Sequence, residues 1–579
     1  MFRGIYPTVN KYFLRGISQV HTPSVAVIDY GAGNMRSLDN ALNYLGYRIR
    51  TIKDPKEIAS VDKLILPGVG AFGSAMKRLQ DKGFVEPLQE YIKQDRPFIG
   101  ICLGMQMLFS GSEEFPDATG LGVIPTQVKL LKSPGLVVPH MGWNGMNIRR
   151  EGSPLITPGE YNNEKVYFVH SFAAPLDDIT KDWALATTTY GNEFVCMVNR
   201  GNIAAMQFHP EKSGAFGLQL LKNYLTKFPV EKKSTLSPLL PATRQTELAK
   251  RVITSLNVRT NNMGELVATK GEQFEVREII SDDEGNKPVK GDVKAVGDPV
   301  ELGERFFSDG ADEIAFLNIT SFRSSPIHDL AMLKLLRKCC ERIFVPFTVG
   351  GGIRDIYALD PDSVEEGKPV MRQFSALEVA AMYFKSGADK VSVASDAVYA
   401  AEEFIASGHK KTGKTSIEKI AERYGRQAVV LAVDTKTVYV PSPDSTKHHT
   451  VKARYPGPNG EKYVWWQCTV KGGRETRDVG AYELVKACEE LGAGEILLNN
   501  IDRDGTNHGY DLDLVKMVKG AVSIPVIASS GAGHVSDFVD LFRETNADGA
   551  MAGAIFHRGE VDITDVKEHL RNEGFTVRL

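Results

Sequence analysis

The strongest constraint on what this 579-residue chain can fold into is that its second half repeats itself. "KRVITSLNV" (250–258) matches "QAVVLAVDT" (427–435), and "GADEIAFLNIT" (310–320) matches "GAGEILLNNID" (492–502). "VPFTVGGG" (345–352) matches "IPVIASSG" (524–531), and "GADKVSVAS" (387–395) matches "NADGAMAGA" (546–554). Each run is short and apolar, and helical pattern lies between the runs, so the eight together give the count of a (β/α)8 barrel. Strands one to four are echoed by strands five to eight, which predicts a half-barrel repeat with two related sites on one rim. Two polar inserts, residues 355–373 and 440–462, follow strands three and five, where substrate loops belong.

The first half is organised differently. "SVAVIDYGAGN", "KLILPGVG" and "PFIGICLG" read as buried strands, each followed by helical pattern, which predicts a doubly wound, mostly parallel α/β sheet. The expected divisions are an N-terminal extension at 1–23, an α/β domain at 24–225, a linker at 226–248 and the barrel at 249–579. The linker reading rests on three prolines, many polar residues and little periodicity. With 42% hydrophobic and 24% charged residues, both units can build a core. A net charge of −3 gives no global pull toward nucleic acid or a membrane surface, so anion recognition must be local. The longest uncharged stretches are too short and too rich in Gly, Ser and Pro to span a bilayer. Six cysteines without a C-x-x-C pair argue against disulfides and zinc, so no metal or cofactor is expected and a reducing, cytoplasmic setting fits. The first 28 residues hold Arg3, Lys11 and Arg15 and no acidic residue, as an organellar transit peptide would. Arg and Ser are sparse for such a signal, and an untargeted extension fits better.

Chemistry in the first half centres on "GICLG" (100–104). Cys102 stands between glycines, after a strand and before a helix, in a Gly-x-nucleophile-x-Gly turn whose helix dipole favours thiolate. Late in the same block, "QFHPEKSG" (207–214) supplies His209 as a base and Glu211 to fix its tautomer. An extended segment would point these two side chains the same way. "PGVGAFG" (67–73) offers the N–H groups of Gly68, Val69 and Gly70 which, with that of Leu103, would hold an oxyanion.

In the barrel, "TVGGGIRD" and "ASSGAG" leave their strands as small-residue loops whose N–H groups can approach phosphate oxygens. The expected phosphate-binding residues are Gly350, Gly351, Gly352, Ser529, Ser530 and Gly531, with Ser392, Ser395 and Gly553 from the partner loops. Two cups across one barrel mouth suit a substrate with a phosphate at each end.

"PGVG", "GICLGMQ", "VHSF" and "FHPEKSG" resemble the class I glutamine amidotransferase family. The resemblance implies glutamine hydrolysis through a thioester on Cys102, with Gly70, Gln106 and His170 in the glutamine pocket. "NVRTNNMGELVATKG", "FLNITSF", "TVGGGIRD", "GADKVS", "GAGEILLN", "DRDGT" and "IASSGAG", in order, resemble the imidazole glycerol phosphate synthase family. That resemblance implies a cyclase taking ammonia and a bis-phosphorylated ribonucleotide, the formimino-AICAR phosphate, to imidazole glycerol phosphate and AICAR. It also implies an active-site Lys270, and Asp504, Gly505 and Thr506 in the phosphate loop after strand six. Fusion in one chain leaves no separate glutaminase subunit to recruit, and a monomer is expected.

Ring formation needs a general acid and a general base. Asp434, at the end of strand five, is one carboxylate. Its repeat mate is Asn257, where the family carries a catalytic Asp; Asn cannot take a proton near neutral pH. The alternative is a glutaminase whose barrel binds the bis-phosphate as a sensor without cyclising it. Finally, Arg251, Glu313, Lys390 and Glu495 stand at the starts of apolar strands, two charges of each sign, as a neutral buried ring requires. The resemblance implies an ammonia gate there.

Overall fold

A computed structural model describes residues 24–31, 35–132, 134–156, 164–230, 237–260, 266–269, 277–281, 288–293, 295–318, 330–365 and 368–579. Lys270 and residues 1–23 lie outside them.

Five strands of the first unit lie parallel in the order Ile49–Ile52, Val25–Ile28, Lys63–Gly68, Phe98–Cys102, Ile203–Met206. Side chains alternate across this sheet as strand geometry demands. Ala26, Ile28, Leu64 and Leu66 enter one core, while Val25, Val27, Ile65, Ile99 and Ile101 enter the core on the opposite face. Covered on both faces, the strands read as continuous apolar runs. Beyond Ile203–Met206 the sheet continues mainly antiparallel, through Asn192–Arg200 and Phe172–Pro175. The parallel expectation thus holds for the half of the sheet that carries the Cys102 turn.

Eight parallel strands form the second unit: Arg251–Thr260, Glu313–Asn318, Phe347–Gly350, Lys390–Val393, Val429–Val440, Glu495–Asn500, Val526–Ser529 and Gly549–Ala552. The barrel closes where Arg251 to Thr254 pair with Gly549 to Ala552. Inside, Ile253, Ala315, Val430, Leu497, Ile527 and Met551 make an apolar layer, while Val252, Leu256 and Val258 point outward to the helices. Two residues toward the strand starts lies the charged layer, and two layers toward the strand ends lie Asn257 and Asp434. The first polar insert forms an antiparallel hairpin, Ile356–Glu365 with Lys368–Phe374, and the second joins the extended fifth strand to its antiparallel partner Tyr463–Val470.

The connection between the units is strapped down. Leu240 N–H donates to the Arg149 carbonyl at 2.7 Å, and Asn147 Nδ2 to the Arg244 carbonyl at 2.8 Å. Thr189 N–H donates to Thr246 Oγ1 at 2.7 Å. Composition predicted a linker because the stretch has no periodicity, but a backbone that pairs with irregular strand edges needs none.

The first unit caps the N-terminal end of the barrel, and their cores interleave. Trp143 and Tyr167 pack into the barrel's core, and Phe344 into the core of the first unit. Trp143 Nε1 donates to the Asp312 carbonyl at 3.0 Å, and the Arg578 guanidinium lies 4.2 Å over its ring. A buried ion pair, Lys212 Nζ to Asp389 at 2.8 Å, crosses the same boundary.

Candidate active sites

Cys102 has φ 53° and ψ −108° and sits immediately before the helical turn Leu103–Gln106. Positive φ in a residue with a Cβ is costly and is held only where its surroundings enforce it. The glycines supply that enforcement by letting backbones touch. A Cβ on Gly104 would fall 1.9 Å from the Leu66 carbonyl oxygen, and one on Gly100 would fall 2.7 Å from that of Gly104. On Gly68, a Cβ would meet Leu103 and Tyr30 at 2.8 Å. The strand therefore turns sharply and presents its sulfur to a cavity.

His209 Nδ1 lies 2.7 Å from Glu211 Oε1, so the carboxylate accepts from Nδ1–H and leaves Nε2 for chemistry. Nε2 is buried, and with Nδ1 taken by Glu211 it is the nitrogen left to meet the Cys102 sulfur. The segment is not extended through Glu211: it enters a short 3-10 turn at Pro210–Lys212, and this turn closes the two side chains together. Burial disfavours the charged imidazole, but the Cys102 and Glu211 charges outweigh it and hold the His209 pKa well above its ordinary value. Glu211 is itself lowered: burial opposes ionisation, and His209 overcomes it.

Gln207 and Gln106 form the remaining wall. Gln207 Nε2 approaches Cys102 Sγ at 3.7 Å, and Gln106 Nε2 donates to Gln207 Oε1 at 3.1 Å and to the Phe172 carbonyl at 2.9 Å. His170 Nδ1–H donates to the Phe172 carbonyl at 2.8 Å, which fixes its tautomer. His140 Nδ1–H then donates to His170 Nε2 at 3.1 Å, and His140 Nε2 accepts from Asn144. Burial pushes His170 down to about 4, so this paired ring is neutral. Sequence singled out His170 but not His140, Gln207 or Lys212. The last two stand inside the motif that carries His209, which was the available signal.

One cavity of about 410 Å³ is lined by Val69, Gly70, Cys102, Leu103, Gln106, His170 and His209. The barrel closes its other side with Asp389, Lys390 and Gly425 to Ala428. Lys390 belongs to the charged layer, whose four side chains are at most 1% exposed. Arg251 contacts Glu313 at 3.2 Å and Glu495 at 2.6 Å, while Lys390 contacts Glu313 at 2.7 Å and also bonds Glu495. Sequence placed all four together, and they form a closed ring. Tyr167 and Met141 of the first unit lie against it: Lys390 Nζ is 3.7 Å from Met141 Sδ, and Tyr167 OH is buried with no hydrogen-bond partner among the described residues.

At the far rim Asp434 is half-buried, and desolvation followed by the Asp504 charge raises its pKa despite a hydrogen bond from Asn499. Asn257 lies half-buried at the end of the first strand. Gly351 and Gly352 have φ 111° and 71°, and Gly505 and Gly531 have 70° and 99°. Ser529 ends its strand, Gly553 precedes a short helical turn, and Ser392 is buried in the barrel. Thr506 Oγ1 donates to the Arg503 carbonyl at 2.8 Å, and Ser395 Oγ accepts from Lys471 N–H at 2.9 Å. No cluster of three or more metal-ligating side chains occurs among the described residues.

The two units match two family models: "Glutamine amidotransferase class-I" over residues 26–228, and "Histidine biosynthesis protein" over 252–361 and 374–562. Fold and site thus define a class I amidotransferase joined to a TIM barrel of histidine biosynthesis. The chain is 50% identical to "Imidazole glycerol phosphate synthase hisHF, chloroplastic" of Arabidopsis thaliana, covering 96% of this chain and 89% of the relative. Its barrel is 37% identical to "Imidazole glycerol phosphate synthase subunit HisF" of Methanopyrus kandleri, over 57% of this chain and 98% of that protein. The first unit is 45% identical to the "subunit HisH" of Syntrophotalea carbinolica, over 34% of this chain and 98% of that protein. The chain belongs to the imidazole glycerol phosphate synthase hisHF family, bifunctional enzymes that pair a glutamine amidotransferase with a cyclase.

Proposed function

We propose that the domain spanning 24–225 hydrolyses glutamine at Cys102 and that its ammonia crosses the barrel, residues 249–579, to build an imidazole ring on a bis-phosphorylated ribonucleotide. His209 holds the proton that Cys102 gives up, the thiolate attacks the amide carbon, and the N–H groups of the 68–70 loop and Leu103 receive the oxyanion. His209 then protonates the amide nitrogen, which leaves as neutral ammonia as the thioester forms, and water frees glutamate from the thioester. Glu211 keeps the imidazole oriented, and Gln106 and His170 shape the glutamine pocket.

The observation that carries the proposal is the shared cavity, whose lining includes both Cys102 and Lys390. Ammonia protonated in water is no nucleophile, so an enclosed path has direct chemical value. Past the ring of Arg251, Glu313, Lys390 and Glu495, the apolar layer from Ile253 to Met551 favours neutral ammonia over ammonium. At the rim, the loops carrying Gly350 to Gly352 and Ser529 to Gly531 grip the two phosphates, and Asp434 exchanges protons with the substrate. Lys270 is assigned to the same mouth from sequence. The substrates proposed are glutamine and the ribonucleotide, with imidazole glycerol phosphate, AICAR and glutamate as products.

Purified full-length protein should form the imidazole product from glutamine or from ammonium salts. Cys102→Ala should abolish the first route and keep the second; loss of neither contradicts the proposal. Asn257 favours a second reading, a barrel that binds the ribonucleotide and only regulates the glutaminase. Ammonia-dependent product from the natural chain rejects that reading. The cytoplasm is proposed as the location. The printed name of the Arabidopsis relative favours an organelle instead, and imaging the chain tagged after Leu579 decides between them. No helix among the described residues is long and apolar enough to cross a membrane.

A further inference from the structure

The two halves of the barrel are unequal in proton chemistry. Positions equivalent by the internal repeat are Asn257 and Asp434, Leu317 and Asn499, and Gly351 and Ser530. In the second half these polar side chains are hydrogen-bonded to one another. Asn499 Nδ2 donates to Asp434 Oδ1 at 2.8 Å, and the Ser530 hydroxyl donates to Asn499 Oδ1. Asp504 joins the row at Ser530, and the N–H of Gly505 in its own loop also donates to it.

A hydroxyl has one proton to donate. Ser530 has committed its proton to Asn499, so toward Asp504 it offers only lone pairs. The Asp504–Ser530 contact is therefore satisfied when Asp504 carries the proton and donates it. At the other end the Asn499 amide donates, so Asp434 is satisfied as a carboxylate. The row has a direction: acid at Asp504, base at Asp434. We propose that Asp504 is the second proton-exchanging group of the ring-forming site, taking the part that Asn257 cannot fill. In each cycle Asp434 accepts one proton from the substrate and Asp504 delivers one, after which solvent water restores the pair. The bridging Asn499 and Ser530 carry no proton; they keep the two carboxyls in opposite states.

Two further observations favour this assignment. Burial raises Asp504 against the Gly505 and Ser530 contacts that lower it, as an acid kept protonated requires. Ser530 has φ 74°, a backbone conformation that favours glycine, and its repeat mate Gly351 is a glycine at φ 111°. A serine kept at such a position is there for its hydroxyl. A carboxyl is also a poor companion for a phosphate, so Asp504 is better used here than in the phosphate loop.

This inference rests on the barrel being a cyclase, and the test separates the two. Ammonia-dependent product formation is measured for the natural chain and for Asp504→Asn, Asn257→Asp, the double variant and Ser530→Gly, each with its thermal midpoint. Asp504→Asn should lose about 10²-fold or more, the scale of one general acid. The double variant should recover most of that loss, because Asn257→Asp restores a carboxyl at the equivalent position. Ser530→Gly should lower turnover while its thermal midpoint holds or rises, since glycine relieves the backbone. Asp504→Asn within about threefold of the natural chain, or a loss that Asn257→Asp does not rescue while Asn257→Asp alone is active, overturns the assignment. No product from the natural chain or from Asn257→Asp overturns the cyclase reading and the assignment with it.

Discussion

At the scale of single residues, the first site works by opposing forces on one imidazole. Burial alone would leave His209 neutral; the sulfur and the Glu211 carboxylate keep it charged. Because its folded pKa is raised, the stability it lends is fully present below the ordinary histidine value near 6.5. That stability is lost as pH rises through the raised value. Glu211→Gln removes one of the two charges that hold the proton. The alkaline limb of glutamine hydrolysis should then move to lower pH, with turnover down about 10²-fold or more. A pH–rate profile for this variant that superimposes on the parent's would contradict the role given to Glu211. Cys102, His209 and Glu211 are legible in sequence because local turns present them. His140 is not: its partners Phe168, His170 and Tyr190 reach it only after distant strands pair.

At the scale of elements, the turn at Cys102 depends on missing side chains. Gly104→Ala would drive a methyl into the Leu66 carbonyl. The strand and its helix would have to part, at a cost of at least about 1–3 kcal/mol. Chemical denaturation should show that loss together with a collapse of glutaminase activity; unchanged stability would mean the turn tolerates a Cβ. Such glycines stand out in sequence, as do the eight barrel strands, because repetition marks them twice. The strap after Lys227 and the antiparallel flank of the first sheet do not stand out. Their hydrogen bonds go to backbone groups far away in sequence, and no local periodicity encodes that partner choice. The same reason hides the pairing of Lys212 with Asp389, a contact made only when the two units dock.

At the scale of the molecule, a balanced ring of four buried charges lies between the Cys102 cavity and the apolar layer from Ile253 to Met551. Lys390→Met would leave Arg251 facing two buried carboxylates, with a destabilisation of about 3–5 kcal/mol. It should also uncouple the sites, so that more glutamate than imidazole product appears in a stoichiometric assay. A ratio held at parity, with stability unchanged, would remove the ring from the path. The ring was visible in sequence because charges at strand starts are out of place. What it separates was visible only once the first unit covered the barrel's N-terminal end.

The account turns on ammonia passing between the sites without meeting bulk solvent. The direct measurement is the isotopic content of the imidazole product formed from 15N-amide glutamine in the presence of a large excess of unlabelled ammonium. Passage through the barrel predicts product carrying nearly the full label of the glutamine amide. Product diluted to the isotopic composition of the external pool would show that the ammonia had left the protein first.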